Sequence, residues 1–362
     1  MNETLFYVAA APFEAACRVE NALGQSPLSA AHPARRLHGH SFLAKVRAIG
    51  ASSVEALRQQ LAHSVAPLDY NDLNQFLPMP TDENLARWIR ARLALPSVAS
   101  VGVQSTLHQG ADLDLADNAH IWRRFRFEAA HRLPNVAPGH QCGRMHGHGF
   151  EVILHANQNL QAQDMGVDFD RLAAVWQPLH DQLHHHCLND IPGLDNPTSE
   201  TLAAWLWERL KPELDALSWV SVYETVTAGC HYDGQHYRIW KDQRFESALT
   251  LNRADSADSV RRLHGHSYLL RLHLTAPLDT VMGWTVDYGD VKTQFKPIYK
   301  QLDHHNLNDL TGLDEPDPAS LARWIRTQAA AGLPQLDRID LYETPGCGVV
   351  LSWGAHEPGL PV

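Results

Sequence analysis

The sequence lacks a long apolar run: no stretch approaches the roughly 18 residues that a membrane span needs, so none is expected. It is also short of positive charge. Thirty Lys and Arg stand against 41 Asp and Glu, a net charge of −11, whereas a general nucleic-acid binder needs a basic footprint. A local basic pocket for a small anion stays open. Cysteine is scarce: five scattered residues, an odd number, argue against a disulfide framework and for a reducing, cytoplasmic compartment. The opening Met1 to Ala11 has no basic segment followed by an apolar core, so secretion is not expected. With 44% hydrophobic and 20% charged residues, the composition is that of a soluble globular protein of two or three domains. Histidine is in excess, 23 residues, several of them in tight clusters.

Those clusters expose an internal repeat. His-Gly-His occurs at 38–40, 146–148 and 264–266, each time followed by an alternating stretch. Phe13-Glu14-Ala15, Phe127-Glu128-Ala129 and Phe245-Glu246-Ser247 precede it. Leu68 to Asn74, Leu183 to Asn189 and Leu302 to Asn308 follow, and then Leu85 to Trp88, Leu202 to Trp205 and Leu321 to Trp324. A repeat of ~120 residues is too long for a solenoid and is the size of a small domain. The expected units are 1–119, 120–238 and 239–362.

The middle unit reads most clearly. Phe125, Phe127, Ala129 and His131 alternate with polar neighbours as in a half-buried strand, and His146, His148, Phe150, Val152 and Leu154 share one face of the next. Leu172, Val175, Trp176, Leu179 and Leu183 have helical spacing. A second helix opens near Thr198 or Ser199 and carries Leu202, Trp205, Leu206 and Leu210. Val220, Val222 and Glu224 then mark a third strand, and a short one follows Gly229. The order β-β-α-α-β-β predicts an α+β fold with helices on one face of an antiparallel sheet, and a ring of three units would pair the exposed edges into a barrel.

His131, His146 and His148 have matched parity on adjacent strands, so three imidazoles can meet and leave a fourth position open, as a catalytic zinc requires. The alternative is three histidines that bind nothing. The flanking units place Cys17 and Leu249 where the middle has His131. Leu249 cannot ligate. Cys17 with His38 and His40 is either a Cys-His-His site or a small buried apolar residue beside two histidines. Cys142, four residues before His146, would become a thiolate near a dication; its counterparts are Ala34 and Val260. The pair Asp303-His304 suits acid–base work, and the equivalent positions hold Asp69-Tyr70 and His184-His185. Glu224 and Glu343 end their strands where the first unit has Gln104. A carboxylate there suits two parallel N–H donors of a pterin or guanine edge.

The run Phe127 to Pro134, the segment Cys142 to His148, Leu188 to Leu194, Asn196 to Glu200, and Glu224 to Cys230 together resemble the 6-pyruvoyl-tetrahydropterin synthase family. Within it they are most similar to the 6-carboxytetrahydropterin synthases of queuosine biosynthesis. The resemblance covers residues 120–238. The third unit shares it through Gly283 to Tyr288 and Leu302 to Leu313, and the first only weakly.

The resemblance implies the tunnelling fold, in which three subunits form a twelve-stranded antiparallel barrel with helices outside. This chain would then be an intramolecular pseudo-trimer, and two such rings could stack. It implies zinc on His131, His146 and His148, Cys142 as the proton-transferring group, and Asp303-His304 supplied by the neighbouring unit. Glu224 would anchor the pterin. Glu200 matches a second pterin position, with Thr198 in the same motif; Glu83 of the first unit matches it too, which leaves open which Glu faces the live site. Arg132 and Arg144 are candidate phosphate contacts by proximity to the ligands. The implied substrate is 7,8-dihydroneopterin triphosphate and the products are 6-carboxy-5,6,7,8-tetrahydropterin, acetaldehyde and triphosphate, from one site per chain. Two alternatives stand beside this: triphosphate elimination alone, giving 6-pyruvoyl-tetrahydropterin, and a non-catalytic pterin-binding scaffold.

Overall fold

The computed structural model describes residues 3–19, 31–95, 97–158, 167–253 and 258–354. The sequence order β-β-α-α-β-β is realised three times. In the middle unit the strands Ala119–His131 and His146–Gln158 lead to the helices Phe169–Leu183 and Ser199–Leu210, and then to the strands Leu217–Thr225 and Ala228–Tyr232. The first unit runs Thr4–Cys17, His38–Ala48, Val54–Val65, Asp82–Arg90, Val98–Thr106 and Gln109–Leu113. The third runs Tyr237–Leu249, His264–Thr275, Tyr288–Leu302, Pro318–Ala329, Leu336–Thr344 and Cys347–Ser352, with the four-residue helix Asp258–Arg261 ahead of its second strand.

All twelve strands close into one antiparallel barrel. Each unit's short last strand pairs with the long first strand of the next: Gln109–Leu113 with Ala119–His131, and Ala228–Tyr232 with Tyr237–Leu249. Cys347–Ser352 returns to Thr4–Cys17, which closes the ring and removes the free edges that a single unit would expose. The three units of this α+β tunnelling fold therefore make an intramolecular pseudo-trimer. No helix among the described residues is long and apolar enough to cross a membrane.

The periodicities of the sequence place the layers. Phe127 and Phe150 stack across the first strand pair at 5.0 Å, as Phe13 does with Phe42 at 4.9 Å and Phe245 with Tyr268 at 4.8 Å. Trp176, Leu172, Leu179 and Leu183 press onto this face from the long helix, with Val175 half-buried at its edge. Asp168 caps that helix by accepting from Arg171 N at 2.7 Å. Thr198 caps the next by accepting from Thr201 N at 3.1 Å. The opposite face of every strand lines the barrel interior, and it is filled: Trp122, Ile153, Tyr223 and Trp240 form a compact plug there.

Candidate active site

The strand register builds the histidine cluster. His131 lies opposite His146, and Ala129 opposite His148, so the three rings converge on the helix-facing side at the end of one strand pair. His131 is fully buried, and its Nε2 lies 3.1 Å from Nε2 of His148. The other ring nitrogen of each histidine meets a backbone carbonyl: His131 Nδ1 with Pro197 O at 3.2 Å, His146 Nδ1 with Arg144 O at 2.8 Å, His148 Nδ1 with Gly149 O at 3.3 Å. Those carbonyls fix the Nδ1–H tautomer and leave the Nε2 lone pairs directed inward. Burial pushes the His131 imidazole down to about 4, with His146 and His148 adding to the fall. All three potential ligand atoms lie within 4.8 Å of one another, so the donor set fits a dication that prefers nitrogen ligands.

Cys142 sits beside this cluster in the tight turn Gln141–Gly143. His140 accepts from its amide through Nδ1 at 3.2 Å, and its carbonyl accepts from Leu133 N at 2.8 Å, which ties the turn to the strand end that carries His131. Burial pushes the thiol up, and Glu224 and then Asp287 add to the rise. Glu224 is itself pushed up to about 7 by burial, with Glu200 adding and Lys241 opposing. Glu200 is buried and accepts from Thr285 N at 2.8 Å, Thr285 Oγ1 at 3.1 Å and Ser199 Oγ at 2.9 Å. Glu200, not Glu83, is therefore the partner of Glu224; Glu83 lines a separate cavity between the first unit and the middle one.

The third unit completes the wall. Carbonyls of its loop accept from Asn135 (Val281 O, 2.6 Å), from Asn196 (Met282 O, 2.6 Å) and from the Thr198 hydroxyl (Gly283 O). The hydroxyls of Tyr288 and Ser199 meet at 2.7 Å, and Asp287 lies 3.7 Å from His140. Thr198, a candidate substrate contact in the sequence, spends its hydroxyl on the helix cap and this inter-unit bond. Arg132, directly after His131, and Arg144, two residues before His146, are exposed.

Asp303 and His304 stand on the other flank. Strand His146–Gln158 is paired to Leu217–Thr225 only from Glu151 onward, and strand Tyr237–Leu249 is paired to Ala228–Tyr232 only as far as Lys241. Beyond the hairpin tip the two long strands face each other across a gap of three strand spacings, about 14 Å. His305–Asn306 pairs in parallel with Ser247 and Ala248 on that free edge, which sets Asp303-His304 on the side of the gap opposite His146 and His148. His304 Nδ1 lies 3.0 Å from Asp303 Oδ2, its side chain is 77% exposed, and its φ is +59°. Tyr70 and His185 hold the same left-handed backbone, at +54° and +60°, so all three units present this position in a strained conformation.

Asp287, His140, Thr285 and Lys241 escaped the motif reading as site residues. The run Gly283 to Tyr288 was visible as a motif, but only the packing shows that it closes the pocket of the preceding unit.

Residues 120–235 and 238–352 match the family model described as 6-pyruvoyl tetrahydropterin synthase. The chain belongs to that family. It is a pterin-processing enzyme of lyase type. The 6-carboxy-5,6,7,8-tetrahydropterin synthase of Synechocystis sp. is 39% identical over 119 residues, which is 31% of this chain and 91% of that protein. The dihydroneopterin monophosphate aldolase of Pyrococcus furiosus is 31% identical over 107 residues, 27% of this chain and 90% of that one. Among solved structures, the Caenorhabditis elegans 6-pyruvoyl tetrahydropterin synthase aligns with TM-score 0.29 and 17% identity, covering 33% of this chain and 95% of that chain.

Proposed function

We propose that this member of the family converts 7,8-dihydroneopterin triphosphate to 6-carboxy-5,6,7,8-tetrahydropterin, acetaldehyde and triphosphate, as in queuosine biosynthesis, at one site per chain. The observation that carries the reading is the set around Cys142: three histidines in the ligating tautomer, a thiol, the buried Glu200 and the half-buried Glu224 gather only at the middle unit among the described residues. The similarity of that unit to a 6-carboxytetrahydropterin synthase supports the choice of product.

His131, His146 and His148 would hold the metal, and zinc suits three neutral imidazoles with an open position. Bound there, zinc supplies Lewis acidity toward the substrate's side-chain oxygens. Glu224, with Glu200 behind it, accepts from the amide and amino N–H groups of the pterin, an interaction that favours its ionised form. The loop of the third unit that bonds Glu200 and Thr198 would exclude water from that edge. Cys142 takes and returns the side-chain proton. His304, held by Asp303, relays a proton from the far flank of the gap. Arg132 and Arg144 face the leaving triphosphate from the rim. A reducing cytoplasm would keep Cys142 a thiol, and two barrels would stack, as the resemblance implies.

The test is incubation of purified, zinc-loaded protein with dihydroneopterin triphosphate, with products identified by mass. A 6-carboxytetrahydropterin product is expected. A pyruvoyl product would move the assignment to triphosphate elimination alone, and tight binding with no product would make the chain a pterin-binding scaffold.

A further inference from the structure

We propose that the first unit holds a second metal site, made of Cys17, His38 and His40, which takes zinc or another thiolate-preferring divalent cation and does no pterin chemistry. The register is that of the middle unit: Cys17 lies opposite His38 and Ala15 opposite His40, as His131 lies opposite His146 and Ala129 opposite His148. Cys17 Sγ is 3.8 Å from His38 Nε2, and the potential ligand atoms of all three residues fall within 4.8 Å of one another. His38 Nδ1 meets the Arg36 carbonyl at 2.7 Å, the counterpart of the bond from His146 to Arg144, so its Nε2 lone pair is likewise free to ligate.

A second feature points the same way. A cavity of about 200 Å³ opens beside the cluster, and Asp82 and Glu83, 5% and 4% exposed, line it. A dication next to them would offset the burial of two carboxyls. Binding forms a metal–sulfur bond and releases the Cys17 thiol proton to solvent. The groups that would make the site reactive are missing: Ala34 stands for Cys142, and the strand register puts Ser105, not Gln104 as the sequence suggested, in the place of Glu224. The third unit is the built-in control: Leu249 lies opposite His264 at this position and cannot ligate. The inference is independent of the reaction proposed above.

The full chain should bind two zinc ions, measured by mass spectrometry of metals after saturation and desalting. Cys17→Leu, which copies the residue the third unit carries, should bind one, and so should His146→Ala; the double variant should bind none. Because Cys142 is also a thiol near a metal site, the cobalt-substituted protein is examined in a Cys142→Ala background. A sulfur-to-cobalt charge-transfer band should be present there and vanish on adding Cys17→Leu, with the far-ultraviolet dichroism unchanged. One zinc in the wild type that Cys17→Leu leaves in place, or a Cys142→Ala protein with no charge-transfer band, would overturn the site.

Discussion

His131 and His148 point their Nε2 atoms at each other across 3.1 Å, while the Nδ1 of each ring is turned to a carbonyl, of Pro197 and of Gly149. With Nδ1 protonated in both, two lone pairs face each other at hydrogen-bond distance with no proton between them. A cation relieves that opposition. His148→Ala should therefore weaken zinc binding to the middle unit by more than about 100-fold, beyond what loss of an outer-shell partner costs. Zinc at 100 times its dissociation constant should stabilise the wild type by about 2.7 kcal/mol through this site. Thermal unfolding against zinc concentration reads both, and an unchanged zinc response at this site in the variant would show that the ring is not a ligand.

The turn that carries Cys142 is tied by a backbone bond from Leu133 to the strand end that holds His131, outside the sheet, so the thiol can be removed without disturbing the strand register. Cys142→Ala should keep the zinc of the middle unit and lose turnover by 10² to 10⁴-fold, the range of a general acid–base group. Measuring zinc content and rate on the same sample separates this from loss of the metal. Turnover at the wild-type rate would assign the proton transfer elsewhere.

Asp303 and His304 belong to the third unit and sit by the free strand edge that borders the gap between it and the middle unit; the proposed relay pairs them with the middle unit's histidines. His304→Ala should cost nearly as much turnover as Cys142→Ala, while His185→Ala, the same position one unit earlier, should leave it close to wild type. The reversed pattern would assign the relay to the middle unit's own pair.

Glu224 gives the pH dependence. Its folded value of about 7 lies above the ordinary 4.5. The native state thus binds more protons than the unfolded chain between those values, and substrate-free stability falls as pH rises through that window. Below about 4.5 the effect is absent; above about 7 it is complete and costs at most about 3 kcal/mol. Glu224→Gln should raise the melting temperature at pH 8, leave it nearly unchanged at pH 4, and abolish pterin anchoring. Melting curves at the two pH values check it, and equal shifts at both would contradict the buried carboxyl.

The repeat, the strand parities that bring His131, His146 and His148 together, and the helical stripe Leu172 to Leu183 were legible in the sequence because each follows a short-range period. The inter-unit contacts were not. Val281 to Tyr288 reads as a loop, and nothing local says that Thr285 will meet Glu200. The barrel interior was hidden for a different reason. Arg124, Asp242 and Arg271 alternate with apolar residues, which in a single sheet marks the solvent face. Closure of the ring turns that face inward, so Arg271 instead bonds Asp242 at 2.7 and 3.0 Å inside the barrel.

That interior also bears on why the units work as one chain. Arg338 donates to Asp340 through Nε at 2.6 Å and Nη2 at 2.7 Å, with His273 Nε2 at 3.3 Å, and Arg47 of the first unit is near enough to feel both charges. The middle unit has Ser221 at the equivalent position, bonded to His155 at 3.2 Å and His231 at 2.7 Å. A homotrimer would repeat one of these sets three times around the axis; here each set is fitted to its neighbours. Burial alone would raise the Asp340 carboxyl, yet Arg338 and His273 hold it well below the usual range. Its stabilisation is therefore full above about pH 4 and is lost only as pH falls through the folded value. Asp340→Asn leaves Arg338 and Arg47 without that counter-charge and should cost about 3–5 kcal/mol, the penalty for breaking a buried pair from one side. The loss should be equal at pH 5 and pH 8, read by denaturant unfolding. A loss that shrank at pH 5 would mean that Asp340 is already protonated there and that the guanidinium is not its partner.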